Sequence, residues 1–355
     1  MKVDLPSLRD DLGLMEGYHS PQVSAAVRLN TNESPYPPPA AWWSAVQAEL
    51  ADVPLNRYPD RAATRLREAL AAFHGVAVEQ VFAANGSNEV LQTLLLAYGG
   101  AGRTALTFEP TYALHGHIAR LTGTAVVEEE RDADFTVDPE RAGIAVDRYK
   151  PAVTFLCSPN NPTGRVDPRR LVEVLTARHC GLLVVDEAYG QFADWTAIEQ
   201  VNDDLPLVVT RTYSKIWSMA AMRLGYVIGP APVIADLDKV ALPYHLDVVK
   251  QVAGRLALGY REEMETRVAA LVAERERLAS ALLRLPVETW PSGANFILFR
   301  PTDRKAAEVW QGLLERSILI RNCANWPRLE GCLRVTVGTA SEDDAFLVAL
   351  AEVLG

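Results

Sequence analysis

Lys215 stands out because lysine is scarce in this chain: 6 lysines against 29 arginines among 355 residues. It lies in the stretch 207–229, LVVTRTYSKIWSMAAMRLGYVIG, after an apolar run and before the sequence turns apolar again beyond Arg223. Burial penalises an ammonium ion, so a lysine in such company becomes a nucleophilic amine near neutral pH. That amine forms Schiff bases with aldehydes. A lysine that only ends a strand and faces water would leave the same local pattern, so its partners decide. The candidates are Asp186 and Tyr189 in VVDEAY, Asn161 in SPNNPTG, Tyr112 in EPTY, and the run Asn85-Gly86-Ser87-Asn88-Glu89.

Short apolar runs at 81–84, 104–108, 153–157, 182–185 and 207–209 read as strands. Helical spacing marks about 40–50, 62–73, 113–121 and 171–177, and also VLQTLLLAY after Glu89. Alternating helices and fully apolar strands imply a mostly parallel sheet covered on both faces. Ligands of such sheets bind beyond the carboxyl ends of the strands. Asn85 to Asn88, Tyr112, Asn161, Asp186, Tyr189 and Lys215 all fall just past predicted strand ends. One rim thus collects a lysine, a carboxylate, two phenols and an amide. Ser87 or Asn88 is expected to cap the helix that follows. A glycine–serine turn feeding a helix N-terminus suits a phosphate, although every capped helix shares that look.

Other motifs argue against rival chemistries. Gly99-Gly100-Ala101-Gly102 follows a helix and precedes a strand, the reverse of a dinucleotide fingerprint, and reads as a helix C-cap. His115 and His117 are two residues apart and fall on different faces of their helix, which argues against a metal site. The four cysteines, Cys157, Cys180, Cys323 and Cys332, lack the spacing of a zinc or redox motif. Net charge is −10, and no basic run exceeds Arg169-Arg170, so nucleic acid is not the expected partner. No apolar run reaches membrane-spanning length, and the acidic start MKVDLPSLRDDLG is unlike a signal peptide. A reducing cytoplasm is the expected compartment. Beyond about residue 240 the texture changes. Residues 248–285 read as long helix broken near Gly259, followed by short strands around 287–290, 295–299, 318–321 and 332–337.

Pyridoxal 5′-phosphate would use every element of the rim. It needs a lysine for its aldehyde, a carboxylate for its ring nitrogen, a phenol and an amide for its ring oxygen, and an anion cradle for its phosphate. At this point the sequence resembles the fold-type I pyridoxal phosphate enzymes of the class I/II aminotransferase group. Within them it is most similar to histidinol-phosphate aminotransferases. The resemblance runs through LNTNESPYPPP, RYPD, NGSNE, EPTY, SPNNPTG, VVDEAY, RTYSK with RLGY, and CLRVTVGT, in that order. It implies a mostly parallel sheet flanked by helices, plus a smaller α+β domain. The expected division is an arm over 1–28 joining the small domain and covering the site, a large cofactor-binding domain over 29–245, and a small domain over 246–355.

The resemblance also implies roles. Lys215 would hold the cofactor and move the proton between substrate Cα and cofactor C4′. Asp186 would pair with the ring nitrogen, Tyr189 and Asn161 with the ring oxygen, and Tyr112 would stack on the ring. Gly86, Ser87, Asn88, Thr212, Ser214 and Arg223 would take the phosphate. Tyr58 would reach the cofactor of a partner subunit, making the active unit a homodimer. Tyr18, Asn32, Arg321 and Arg334 would meet the substrate. The expected reaction exchanges an amino group between histidinol phosphate and 2-oxoglutarate. An aromatic amino acid aminotransferase and a threonine-phosphate decarboxylase share the fold, and ILIRNCANW is similar to a C-terminal segment of the latter. A non-catalytic pyridoxal-phosphate sensor is a remoter reading. One departure stands in Ala220-Ala221-Met222-Arg223, where the family has glycine at the position of Ala221. If that position needs positive φ, alanine is strained there, and bulky Trp217 nearby is expected to reshape the pocket.

Overall fold

The computed structural model describes residues 5–13, 15, 17, 23–178 and 181–355. Two sheets organise it. The first strand, β1 (Val27–Leu29), joins the smaller sheet. The next seven form the larger one: β2 (Val81–Ala84), β3 (Thr104–Glu109), β4 (Ala125–Glu130), β5 (Val153–Cys157), β6 (Leu182–Asp186), β7 (Leu207–Thr212) and β8 (Gly225–Ile228). Their order is β2-β8-β7-β6-β5-β3-β4. All neighbours run parallel except β8, which is antiparallel to both β2 and β7. Every residue of β5, β6 and β7 is buried, as strands covered on both faces must be.

β7 runs three residues past its purely apolar part because its threonines find partners. Thr210 Oγ1 donates to Asp186 Oδ1 at 3.2 Å, and Thr212 Oγ1 to Ser214 Oγ at 3.0 Å. β4 and β8, with the helices Pro139–Tyr149 and Ala231–Val240, do not follow from the sequence patterns used above. β4 is an edge strand ending in three glutamates and nowhere fully buried, so it lacks the apolar run of its neighbours. The helix Ser87–Tyr98 corrects one expectation. Gly86, at φ 85°, stands at its N-cap with no side-chain cap, and Ser87 already lies in the first turn. A left-handed entry of this kind favours glycine.

The smaller sheet adds β9 (Val287–Thr289), β10 (Phe296–Pro301), β11 (Ile318–Asn322) and β12 (Leu333–Thr336), in the order β1-β11-β12-β10-β9. β1 lies parallel to β11 and the other pairs are antiparallel. This pairing ties the start of the chain to its end and delivers Asn30, Thr31 and Asn32 beside β12. Helices Val248–Ala257 and Arg261–Leu282 lead from one sheet to the other, broken by a 3-10 turn at Leu258–Tyr260 that contains Gly259. Leu29, Val185, Tyr189, Phe296 and Val335 share one apolar core, so the sheets pack on each other. Tyr189 meets Phe296 edge-on at 5.0 Å. Such a pair contributes about 0.5–1.5 kcal/mol beyond its buried area. Among the described residues, no helix is long and apolar enough to cross a membrane.

Candidate active site

The rim of strand ends closes into a cavity of about 190 Å³ between the two sheets. Lys215 enters it from the turn after β7. Tyr213 anchors that turn: it is fully buried, its backbone N–H donates to Leu224 O at 2.9 Å, and its hydroxyl donates to Gly254 O at 3.2 Å. With Tyr213, Ile216 and Trp217 in the core, the two residues between them, Ser214 and Lys215, are left to face the cavity. Lys215 Nζ donates to Thr31 O at 3.0 Å and lies 5.5 Å from the centre of the Tyr189 ring. Burial above all, helped by the cations Arg334 and Arg223 and opposed by Glu33, brings its pKa down from 10.5 to about 7. The amine is thus partly unprotonated, and nucleophilic, at neutral pH.

Asp186 ends β6, one strand away. Its Oδ1 accepts from Thr210 Oγ1 and from the backbone N–H of Ala188 at 3.1 Å. Its Oδ2 lies 3.0 Å from His115 Nε2. An ionised carboxylate only accepts, so Nε2 carries the proton of that bond. The imidazole is fully buried and stacks on Phe155 at 4.8 Å. His115 is a site residue that spacing arguments aimed at metals do not find. Its signal was a histidine on the apolar face of an amphipathic helix, where a buried ring needs a partner. Among the described residues, no group of histidine, cysteine, aspartate and glutamate could hold a metal ion.

The opposite end of the cavity is built for an anion. Gly86, Ser87 and Asn88 open a helix, whose first N–H groups lack intrahelical acceptors. The turn is closely packed: a Cβ on Gly86 would lie 3.0 Å from Arg223 Nη2, and one on Gly225 of β8 would lie 2.3 Å from Ser87 N, too close to fit. Thr212 and Ser214 lie across from this turn, and Arg223 Nη1 donates to Ser214 Oγ at 3.2 Å and Ala220 O at 3.3 Å. Arg223 is held at φ 52°, a left-handed backbone that costs about 1–2 kcal/mol outside glycine. Positive φ also falls on Ser218, but Ala221 lies within the 3-10 turn Ala220–Met222 and is unstrained. Trp217 is likewise clear of the cavity. It packs on Tyr213 and Phe73, with ring centres 5.6 and 5.9 Å away. Tyr112, at the cavity wall, donates to Asn88 Oδ1 at 3.1 Å.

The remaining wall comes from the smaller sheet. Arg334 on β12 donates to Asn161 Oδ1 and, at 2.9 Å, to Asn30 O. Arg321 on β11 is its direct cross-strand neighbour. The Arg321 guanidinium lies 5.1 Å over the Trp326 ring, within cation–π reach. Trp326 lines the cavity and went unnoticed in the sequence, where it reads as one more residue of the ILIRNCANW segment. Asn32 lines the cavity too, bonded to Tyr189. Tyr58 is not in this cavity; it is 80% exposed and stacks on Tyr244 at 4.4 Å. Tyr18 lies outside the described residues.

A half-buried amine, an acceptor carboxylate behind it and a glycine-lined anion cradle meet the demands of a phosphorylated, ring-bearing aldehyde. The site and the sheet order therefore define a pyridoxal-phosphate-dependent transferase. Residues 24–350 match the family model for aminotransferase class I and II, and the chain belongs to that family. It is 46% identical to the histidinol-phosphate aminotransferase of Mycolicibacterium smegmatis, over 99% of this chain and 94% of that one. It is also 46% identical to that of Thermobifida fusca, over 99% and 96%. The fold matches the histidinol-phosphate aminotransferase of Sinorhizobium meliloti solved with pyridoxal-5′-phosphate, with a TM-score of 0.84 and 23% identity over 93% of this chain and 91% of that one. It also matches an L-threonine-O-3-phosphate decarboxylase from Porphyromonas gingivalis, with a TM-score of 0.80 and 22% identity over 92% and 99%.

Proposed function

We propose that this aminotransferase moves an amino group from glutamate to imidazole acetol phosphate, leaving 2-oxoglutarate and giving histidinol phosphate. The observation that carries this reading is the register of Arg321 against Arg334 on adjacent strands, both lining the cavity. Two guanidiniums side by side suit a site that must take a carboxylate from one substrate and a phosphate from the other. The names of the nearly full-length relatives at 46% identity support the same choice.

When bound, the cofactor supplies an aldehyde carbon that carries the amino group and a ring that takes up the electrons of the broken Cα–H bond. Asp186, braced by His115, keeps the ring nitrogen protonated. Tyr189 and Asn161 would meet the ring oxygen, Tyr112 would cover a ring face, and Gly86, Ser87, Asn88, Thr212, Ser214 and Arg223 would hold the phosphate. Lys215, with its lowered proton affinity, would serve as the base that takes the proton from substrate Cα and the acid that gives it back across the nitrogen. Arg334, beside Arg321, grips the substrate anion, and Tyr18 covers it. We assign residues 29–245 to the large domain that holds the cofactor, 246–355 to the small α+β domain, and 1–28 to an arm that joins the small domain and covers the site. Tyr58, exposed here, serves the phosphate end of a second copy's site in a homodimer. The buried free thiols Cys157, Cys323 and Cys332 suit a reducing cytoplasm.

A half-reaction screen tests the proposal. Candidate amino donors are added to the cofactor-loaded protein, and loss of its visible absorbance is followed. Conversion by glutamate and histidinol phosphate, but not by phenylalanine or phosphothreonine, is expected. Carbon dioxide released from phosphothreonine would move the assignment to the decarboxylase.

A further inference from the structure

Asn32 sits at φ 56°, a left-handed conformation that asparagine tolerates better than most residues. Its backbone N–H donates to Thr336 Oγ1 at 3.0 Å. The Thr336 hydroxyl in turn gives its proton to Asn32 Oδ1, also at 3.0 Å. This pair of bonds fixes which way the Asn32 amide points: the oxygen faces Thr336, so the NH2 faces Tyr189. Asn32 Nδ2 donates to the Tyr189 phenol oxygen at 2.9 Å. Asn295 Nδ2, also from the smaller-sheet region, holds the Asn32 carbonyl at 3.3 Å. The Tyr189 oxygen thus already accepts a bond from Asn32 on the cavity wall, which leaves its own proton for another acceptor in the cavity.

We propose that Thr336 and Asn32 are positioning residues that orient Tyr189 as a hydrogen-bond donor toward the cofactor's ring oxygen, so that the smaller sheet sets the protonation of the bound cofactor. The inference rests on the reading that pyridoxal phosphate occupies this cavity with its ring oxygen at Tyr189. Burial pushes the phenol up to about 12, so it remains a donor across the working range. A donor aimed at the ring oxygen favours the deprotonated form of the bound cofactor, in which that oxygen's negative charge has no neighbouring proton to share. The charged and titratable groups facing Tyr189 are Lys215, Arg334, Asp186 and Cys157, and a change at Thr336 alters none of them.

The test is a pH titration of the visible absorbance of the cofactor-loaded protein. Thr336→Val keeps the shape and removes the hydroxyl, freeing the Asn32 amide to turn. The midpoint is expected to rise by roughly half a unit to one unit, as loss of one hydrogen bond to a charged form does. Thr336→Ser should restore the original midpoint. Asn32→Asp tolerates the same backbone but presents only acceptors, so it turns the Tyr189 proton toward residue 32 and away from the ring oxygen, and should shift the midpoint further in the same direction. This second variant carries the test if Thr336→Val does not fold. An unchanged midpoint in the folded variants overturns the inference. A wild-type protein that develops no visible band with pyridoxal phosphate overturns instead the reading on which the inference rests.

Discussion

The two walls of the cavity are built from opposite kinds of contact. On the large-sheet side, Asp186 and Lys215 follow adjacent parallel strands, and Asp186 is braced by Thr210 within the same sheet. On the other side, the bonds that matter join Asn32 to Thr336 and Arg334 to Asn30, each spanning 304 residues of sequence. The first wall is a property of one sheet. The second exists only when β1 has docked against β11 and both ends of the chain are in place. Closing so long a loop costs entropy that a few hydrogen bonds must offset. The proposed cofactor contacts thus sit mainly on the wall built within one sheet, and the proposed substrate contacts on the wall that needs both ends of the chain.

Substitutions on the two walls should separate along that line. Lys215→Ala should cost the most, about 10²–10⁴-fold in the rate of single-turnover amino transfer, the range for losing a positioned acid–base group. It should still bind the cofactor's phosphate end. A Lys215→Ala protein with full turnover would falsify the assignment. Arg334→Ala strikes the other wall and should act on affinity. A lost charged hydrogen-bond partner at about 1.5–3 kcal/mol predicts a KM roughly 10–150-fold higher with a smaller change in kcat. An equal fall in both walls' chemistry would dissolve the distinction.

His115→Phe removes the Nε2 bond to Asp186 while keeping a ring to stack on Phe155. Chemical denaturation should show a loss of about 1–3 kcal/mol, the cost of leaving a buried polar group short of a partner. Cofactor affinity should fall with it, whereas KM for the phosphorylated substrate should stay near wild type.

The Lys215 amine gives a pH signature. In the cofactor-free protein it titrates near 7 instead of 10.5. Between those values the unfolded chain binds the proton and the folded one does not, so stability rises with pH. Below about pH 7 both states are protonated and the burial penalty is present in full. Wild type should therefore gain stability over Lys215→Met as pH rises from about 7 toward 10.5. The rate of cofactor uptake should climb with pH around a midpoint near 7. The smallest effect is expected from Ala221→Gly. Ala221 needs no positive φ, so glycine should cost about 0.5–1 kcal/mol, without improving activity.

Much of the large-sheet wall was legible beforehand because its signals are local. Strands β5, β6 and β7 announce themselves as unbroken apolar runs, and Asp186 and Lys215 stand where those runs stop. The cap at Gly86 was misplaced by one or two residues, since a serine after glycine looks like an N-cap whether or not its side chain is used. His115 was weighed as a metal ligand and not as a partner for Asp186, because 71 residues separate them and only the fold lays its ring against Phe155 and Asp186. Trp326 and Thr336 carried no local signal at all. Each is an ordinary residue of a loop or strand until the fold puts another charge or amide against it.

By itself, the amino-acid sequence determined the alternation of helices and apolar strands, the isolated lysine, and the set of polar residues at strand ends. These depend on periodicity and composition, which act over a few residues. The tertiary structure alone decided which of those residues touch. It set the lowered proton affinity of Lys215 through burial beside Arg334 and Arg223. It relieved Ala221 of strain by placing the left-handed turns at Ser218 and Arg223. And it fixed the orientation of Asn32 through Thr336. Such properties arise from desolvation and hydrogen-bond direction between segments far apart in the chain, and a linear pattern does not encode them legibly.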